Sequence, residues 1–364
     1  MTKTVGDPIL GEDLAHTLHA LGARERAALT DSRILVTGCA GFLGFYALQF
    51  LVAQAKTLGI RSVIGIDNFI LRRPAWLAEL SRSSVLRVEE FDIATGSLAN
   101  IPGAANADFV LHMASIGSSP LFRRYGIETV DATVWGLRNL LEFYRNRNLK
   151  GLLFFSSSEI YGDPSAQFIP TPETYRGNVP CVGPRACYDE SKRFGETLCY
   201  LFAERYRMPI SVVRPFNTYG PGMVVDDQRA PADFARAVIE NQDIEILSDG
   251  SPTRTFCYVA DALAGYIKAL CHGSFDVFNI GMDRPEISMR RFAELFRDGG
   301  RAVLGYHGNI RLGSSSDPFY LSDVPNRRCP DIGKARNVLG YAPTIEVKEG
   351  VDRYLRYLKH DGVA

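Results

Sequence analysis

The chain has 364 residues, 46% hydrophobic and 23% charged, the make-up of a folded globular protein long enough for one large core or two fused lobes. Its 41 basic and 41 acidic side chains cancel, so net charge gives no footprint for nucleic acid or an anionic membrane. The seven cysteines are scattered and never spaced Cys-x-x-Cys, the six histidines lie away from them, and no window approaches the ~18 apolar residues of a membrane span; the expectation is a cytoplasmic protein without a metal site or membrane partner.

Residues 1–31 read as a separate helical extension. Leu10, Leu14, Leu18 and Leu21 recur at three- and four-residue spacing, with Asp13, His16, Arg24 and Glu25 off that stripe. A cap on the protein's own surface fits this pattern better than a partner-binding peptide.

At Arg33 the pattern changes to a short apolar run, Ile34-Leu-Val36, then Thr37-Gly38-Cys-Ala-Gly41-Phe42-Leu43-Gly44, then helical periodicity from Phe45 to Thr57. Strand, closely spaced glycines and helix together hold a dinucleotide pyrophosphate, because glycine lets the backbone approach and a helix N-terminus offers free N–H groups. The next strand, Ser62 to Ile66, ends in Asp67-Asn68. A carboxylate there accepts the ribose hydroxyls and repels a 2′-phosphate, which favours NAD over NADP. Arg72-Arg73 close by reads as a solvated turn before Pro74. A third run, Val85 to Phe91, closes with Asp92-Ile93, where an acidic side chain meets the adenine amino group.

The fourth strand, Asp108 to Ser115, runs into Ile116-Gly-Ser-Ser-Pro120, and a long amphipathic helix follows over Thr129 to Arg145. The fifth, Gly151 to Phe155, opens into Ser156-Ser157-Ser158-Glu159. Alternating strands and helices imply an α/β fold with a Rossmann-type, doubly wound parallel sheet whose ligands lie beyond the carboxyl ends of the strands. Ser157, Ser158 and Glu159 are therefore expected at the active rim.

The chemistry is expected to centre on Gly183-Pro-Arg-Ala-Cys-Tyr188-Asp-Glu-Ser-Lys192. Residues four apart on a helix are neighbours, so the Lys192 ammonium can sit beside the Tyr188 hydroxyl. A phenol titrates near pH ~10, so phenolate at neutral pH needs about 4 kcal/mol of stabilisation, and an adjacent cation in a dry cleft acts in that direction. Alone, such a pair more often decorates a solvated helix. A sixth strand, Ile210 to Arg214, ends in Pro215-Phe-Asn217-Thr-Tyr-Gly220-Pro-Gly222, where the chain leaves the sheet. The dinucleotide domain is thus expected over 32–221 and a smaller, mixed α/β C-terminal substrate lobe over 222–364, with a long loop over the cleft at 299–330.

Thr37-Gly38-x-x-Gly41-x-x-Gly44, Asp67, Ser157, Tyr188-x-x-x-Lys192 and Arg214-Pro-Phe-Asn217-x-Tyr-Gly-Pro occur in this order within residues 33–355. Together they resemble the extended short-chain dehydrogenase/reductases, and among them the NAD-dependent nucleotide-sugar epimerase/dehydratase family. The strings Ser-Ser-Ser-Glu159-Ile-Tyr-Gly-Asp-Pro, Gly-Pro-Arg-Ala-Cys-Tyr188-Asp-Glu-Ser-Lys192-Arg, Thr253-Arg254-Thr-Phe-Cys-Tyr-Val and Arg328-Cys-Pro-Asp-Ile are similar to those of UDP-glucuronate decarboxylases. Dehydratases of the family carry an aspartate where Ser158 stands, whereas decarboxylases carry Ser-Glu there and an arginine at the position of Arg328.

The resemblance implies that Gly38, Gly41, Phe42, Leu43, Gly44, Asp67, Asn68, Asp92, Ile93, Tyr188 and Lys192 hold NAD. It implies that Ser115, Asn217, Arg229, Arg254 and Arg328 hold a UDP-sugar, and that Ser157, Ser158, Glu159, Tyr188, Lys192 and Arg328 carry catalysis. A homodimer through two helices per subunit, at 129–145 and 188–205, is also implied. Two stretches depart from the decarboxylase pattern, Ala114 to Pro120 and the long segment before Arg328. A 4-epimerase or oxidoreductase on another nucleotide hexose therefore stays open beside decarboxylation; a silent dinucleotide sensor would have no need of Ser157, Tyr188 and Lys192.

Overall fold

Seven parallel strands form the centre of the protein, whose computed structural model describes residues 7–315, 319 and 325–360. They are β1 (Arg33–Thr37), β2 (Ser62–Asp67), β3 (Leu86–Glu90), β4 (Phe109–His112), β5 (Gly151–Phe155), β6 (Ile210–Pro215) and β7 (Asp276–Ile280), in the spatial order β7-β6-β5-β4-β1-β2-β3. Their central members are apolar almost throughout, since both faces of a parallel sheet are covered by helices. The chain winds outward from β1 to β3, then returns to pair β4 against β1 and winds the other way. At such a reversal the connections diverge and leave a crevice beyond the strand ends.

The segment 126–144 and the helix Ala186–Tyr206 cover one face, burying Leu137, Leu140, Leu141, Leu198 and Phe202. The segment 126–144 contains a π-helical turn at Asp131–Trp135. On the other face lie the glycine-loop helix Phe42–Ala53 and the wholly buried helix Val259–Leu270. Strand β7 is not anticipated by the sequence reading, because the polar Asn279 interrupts its apolar run. The structure buries that amide fully satisfied: it donates to the Thr171 and Asp331 carbonyls at 2.9 and 3.0 Å and accepts from the Tyr161 hydroxyl at 2.8 Å.

After Gly222 the chain contributes the helix Val259–Leu270 and strand β7 to the central sheet layer as well as shorter mixed elements, and the loop expected at 299–330 is partly regular. Residues 299–304 finish the helix Met289–Leu304, whose Phe292 and Phe296 are buried, and Ile310–Leu312 pairs in parallel with Ile244–Ile246. Residues 316–318 and 320–324 lie outside the described residues. Among the described residues, no His, Cys, Asp or Glu cluster could hold a metal and no helix is long and apolar enough to cross a membrane.

The N-terminal helix is Pro8–Ala20, started by Asp7, whose carboxylate accepts the Leu10 N–H at 2.9 Å, and by a proline in the first turn. Leu10 and Leu14 are buried. Between them Asp13 is fully buried and accepts the Tyr258 hydroxyl at 2.6 Å and an Arg353 N–H at 2.8 Å, while His16 meets Asp261 at 2.8 Å. The extension is thereby tied to Val259–Leu270 and to the C-terminal helix Val347–His360. Burial pushes the Asp13 carboxyl up to about 6, against the pull of its two donors. Replacing Asp13 by Ala leaves the buried Tyr258 hydroxyl without its acceptor and Arg353 without its tie to the N-terminal helix core. The expected loss is about 3 kcal/mol of unfolding free energy in urea; a loss below about 1 kcal/mol would show that this network does not anchor the extension.

Candidate functional site

The carboxyl ends of β1 to β6 open into a cavity of about 990 Å³, lined from the glycine loop at one end to Arg254 and Arg328 at the other. At the glycine loop, Gly38 has φ +70° and a Cβ on it would stand 2.7 Å from the Ala114 backbone, so glycine is required by the chain itself. Gly41 differs: nothing of the protein comes closer than 3.4 Å to its virtual Cβ, and the residue faces the cavity. The helix it opens, Phe42–Ala53, has no side-chain cap, which leaves first-turn N–H groups for an anion. Asp67 at the end of β2 accepts the Ala40 and Phe69 N–H groups at 3.0 and 2.8 Å. Asp92, beyond β3, is fixed by the Ala94 N–H at 2.8 Å, with Asn68 3.4 Å away, and Ile93 is buried beside it. Arg73 is taken up by Glu90 and by the Phe69 ring. A glycine cradle facing the cavity, an uncapped helix start and carboxylates at the two following strand ends fit a dinucleotide, which Gly38, Gly41, Phe42, Leu43, Gly44, Asp67, Asn68, Asp92 and Ile93 could hold.

The helix Ala186–Tyr206 sets Tyr188 and Lys192 one turn apart on its buried face. The Lys192 ammonium donates to the Phe155 carbonyl at 2.7 Å and lies 5.5 Å from the centre of the Tyr188 ring. Burial pulls the Lys192 ammonium down to about 7. Burial pushes the Tyr188 phenol up to about 12, although its hydrogen bond to Ser157 opposes this. In the protein alone desolvation thus dominates both groups. Phe122 stacks on the Tyr188 ring at 4.9 Å and 11°, closing its other side.

Ser157 also accepts the Glu159 N–H at 3.2 Å, starting the tight turn Ser158–Tyr161 in which Ser158 is buried. Glu159 is bracketed by two guanidinium groups: Arg328 gives it two N–H donors, one at 2.6 Å, and Arg185 gives a third at 2.6 Å. Burial would raise the Glu159 carboxyl, but Arg328 and then Arg185 hold it at about 2.

The expected substrate residues are spread along the same cavity. The Ser115 hydroxyl lies 2.9 Å from that of buried Thr133, within the π-helical turn. Asn217, at φ +40°, donates to the Thr255 carbonyl at 2.8 Å. Arg229 is paired with Asp227 at 2.9 Å. Arg254 donates to the carbonyls of Thr253, Pro325 and Asn326, and burial followed by nearby Arg328 pulls it down to about 9. Arg185, Asp189 and Phe122 belong to the site and are absent from the residues singled out in the sequence. A helical-wheel argument could have found Arg185, one turn before Tyr188.

The fold and the Tyr188–Lys192 helix define a short-chain dehydrogenase/reductase scaffold. The model of the NAD dependent epimerase/dehydratase family matches residues 34–281, and the chain belongs to that family, so NAD is its cofactor. It is 31% identical over 333 residues to UDP-glucuronic acid decarboxylase 1 of Xenopus tropicalis, covering 90% of this chain and 72% of that one. With UDP-glucuronic acid decarboxylase 1 of Arabidopsis thaliana it shares 32% over 321 residues, 88% of this chain and 68% of the relative. Among solved structures it is similar to UDP-glucose 4-epimerase of Thermotoga maritima with UDP-glucose (TM-score 0.76, 25% identity, 90% and 99% covered). UDP-glucuronic acid 4-epimerase of Bacillus cereus, in complex with UDP-glucuronic acid and NAD, follows with TM-score 0.74, 26% identity and the same coverage.

Gly41→Ala separates the cradle from the fold. The variant should unfold within about 0.5 kcal/mol of wild type, since the added methyl meets no protein atom closely, yet bind NAD about tenfold more weakly by calorimetry. Unchanged NAD affinity would place the pyrophosphate elsewhere.

Proposed function

We propose that the protein is an NAD-dependent nucleotide-sugar enzyme that oxidises the sugar transiently at its 4-position and decarboxylates UDP-glucuronate. The observation that carries this reading is the pair of arginines closed on Glu159 beside Tyr188, at the rim where Ser158 replaces the dehydratase aspartate. A site rich in guanidinium groups suits a sugar that brings its own carboxylate.

NAD held in the cradle would supply the acceptor for a hydride from sugar C4 and the donor that restores it within the turnover. Tyr188 takes the proton of the 4-hydroxyl, with Ser157 holding that oxygen and the Lys192 charge favouring the phenolate. The resulting 4-ketone makes the uronate a β-keto acid. Its C5–C6 bond then breaks, carbon dioxide leaves, and the electron pair passes into an enolate whose charge Arg328 stabilises until C5 is protonated. Gly38, Gly41 and Asp67 orient the dinucleotide, and Asn217, Arg229 and Arg254 line the nucleotide end. A 4-epimerase shares the first step and is favoured by one observation, the segment Ile116 to Phe122 packed against Tyr188 where the decarboxylase pattern is lost.

The reading includes a homodimer. Ile127 and Trp135 on 126–144, with Phe194 and Leu201 on Ala186–Tyr206, are all at least half exposed on two helices that pack side by side. A second copy would cover this apolar strip. The seven free cysteines support a reducing, cytoplasmic setting.

Three measurements bear on these points. Proton NMR of the protein with UDP-glucuronate and NAD should show a pentose anomeric signal replacing that of the uronate; a 4-epimer instead would refute decarboxylation and leave the tyrosine chemistry standing. Tyr188→Phe should lower turnover about 1,000-fold while NAD affinity stays within about threefold. Trp135→Glu together with Leu201→Glu should convert a dimer into a monomer in sedimentation velocity, and a wild type that is already monomeric contradicts the dimer.

A further inference from the structure

Arg185 is the last residue before the catalytic helix and is 5% exposed. Its guanidinium donates to Glu159 at 2.6 Å and stands 3.5 Å from Asp189, one turn further along the helix, and 3.4 Å from the Ser119 hydroxyl. It also lies 5.5 Å from the centre of the Phe122 ring, the ring stacked on Tyr188. One buried cation thus joins the turn after β5, the start of the Tyr188 helix and the segment crossing the cavity. Glu159 receives two N–H donors from Arg328 and one from Arg185. The Arg328 fork takes both carboxylate oxygens, and the Arg185 donor, which comes from the start of the catalytic helix, ties that fork to a second element of the fold.

Asp189 completes the arrangement. It is 2% exposed and lies outside the cavity lining, behind Arg185, with one carboxylate oxygen lacking a hydrogen-bond partner. Burying an acid in that position has no use for the substrate directly, but it keeps the Arg185 guanidinium from turning away from Glu159. Burial, then nearby Glu159, pushes the Asp189 carboxyl up to about 7, while Glu159 stays ionised between its two arginines.

We infer that Arg185 is a positioning residue that fixes the Glu159 carboxylate beside the reacting sugar and acts on turnover only through it. The inference rests on the reading above, in which Glu159 belongs to the reacting end of the site. Arg185 need not touch the substrate. Its removal leaves the hydride step with its own residues, Tyr188, Lys192 and Ser157, and unties the Glu159–Arg328 fork from the Tyr188 helix.

The test is a double-mutant cycle with Arg185→Met and Glu159→Gln, run on the full chain with NAD and UDP-glucuronate, with product followed by NMR. Arg185→Met should lower kcat about 100-fold, as a misplaced site group does, with KM for the nucleotide-sugar and affinity for NAD within about threefold. In the Glu159→Gln background the same change should cost less than about threefold, because the group it positions is already gone. The acidic limb of the kcat/KM profile should also move toward neutral in Arg185→Met. Losing a cation raises the Glu159 carboxyl, so activity that needs the carboxylate is lost at higher pH as pH falls. Arg185→Lys should recover part of the rate, and it carries the same cycle if Arg185→Met does not fold.

Losses that multiply in the double variant, or an Arg185→Met enzyme as fast as wild type, overturn the inference. If the wild type returns a 4-epimer, the decarboxylation reading falls and the cycle is scored on epimer formation instead. A wild type that does not turn over UDP-glucuronate at all overturns both.

Discussion

The pairing of β1 with β4, where the winding of the sheet reverses, is the constraint on which the rest of the site depends. All seven strands run in one direction, so the loop after each central strand emerges at the same edge. The glycine loop follows β1, Asp67 ends β2, Asp92 lies beyond β3, Ser115 beyond β4, Ser157 to Glu159 beyond β5 and Asn217 beyond β6. Had β4 paired elsewhere, the first three and the last three would not share a cavity. Gly38, whose left-handed backbone lies against Ala114, marks how closely the two halves meet there.

Within that crevice the protein buries charge that it does not fully neutralise. Lys192 is held by a carbonyl, Arg254 by three, and neither has a carboxylate within reach as its main partner. Glu159 is the opposite, an acid gripped by two cations. Such a distribution is unfavourable in the free protein, as the raised Tyr188 and lowered Lys192 titrations show. It becomes favourable when the site receives an anionic ligand, and we read the cations Arg185, Lys192, Arg254 and Arg328, gathered around Glu159, as preparation for a nucleotide diphosphate and an acidic sugar.

The sequence made the first half of this account readable because its signals are local. Glycines spaced three apart after an apolar run, an acid at the following strand end, and a tyrosine and lysine one helical turn apart each report a short-range requirement. Five of the seven strands follow from apolar runs, and β3 from the alternation of Leu86 and Val88 with charged residues. β7 was missed because Asn279 is buried by partners at Thr171, Tyr161 and Asp331, more than fifty residues away in either direction. The 299–330 stretch misled because its glycines and serines suggested a loop, while Phe292 and Phe296 fix the helix through residue 304 by packing into the core. Arg185 and Asp189 escaped for a related reason. Their meaning lies in the contact with Glu159, which tertiary structure alone supplies, although Arg185 stands within the string that drew attention to Tyr188. The anchoring of the N-terminal helix through Asp13 is of the same kind, since Tyr258 and Arg353 lie 245 and 340 residues further along the chain.

The central claim is that hydride leaves and re-enters the sugar within one site while a separate proton is taken up from water at C5. Turnover of UDP-glucuronate in deuterium oxide, with the product's sugar protons assigned by NMR, tests it most directly. One deuterium at C5 of the pentose and none at C4 is the expected outcome. Deuterium at C4 would mean that the hydrogen exchanges with solvent rather than returning from the cofactor, and an undeuterated C5 would mean that no enolate forms; either result contradicts the account.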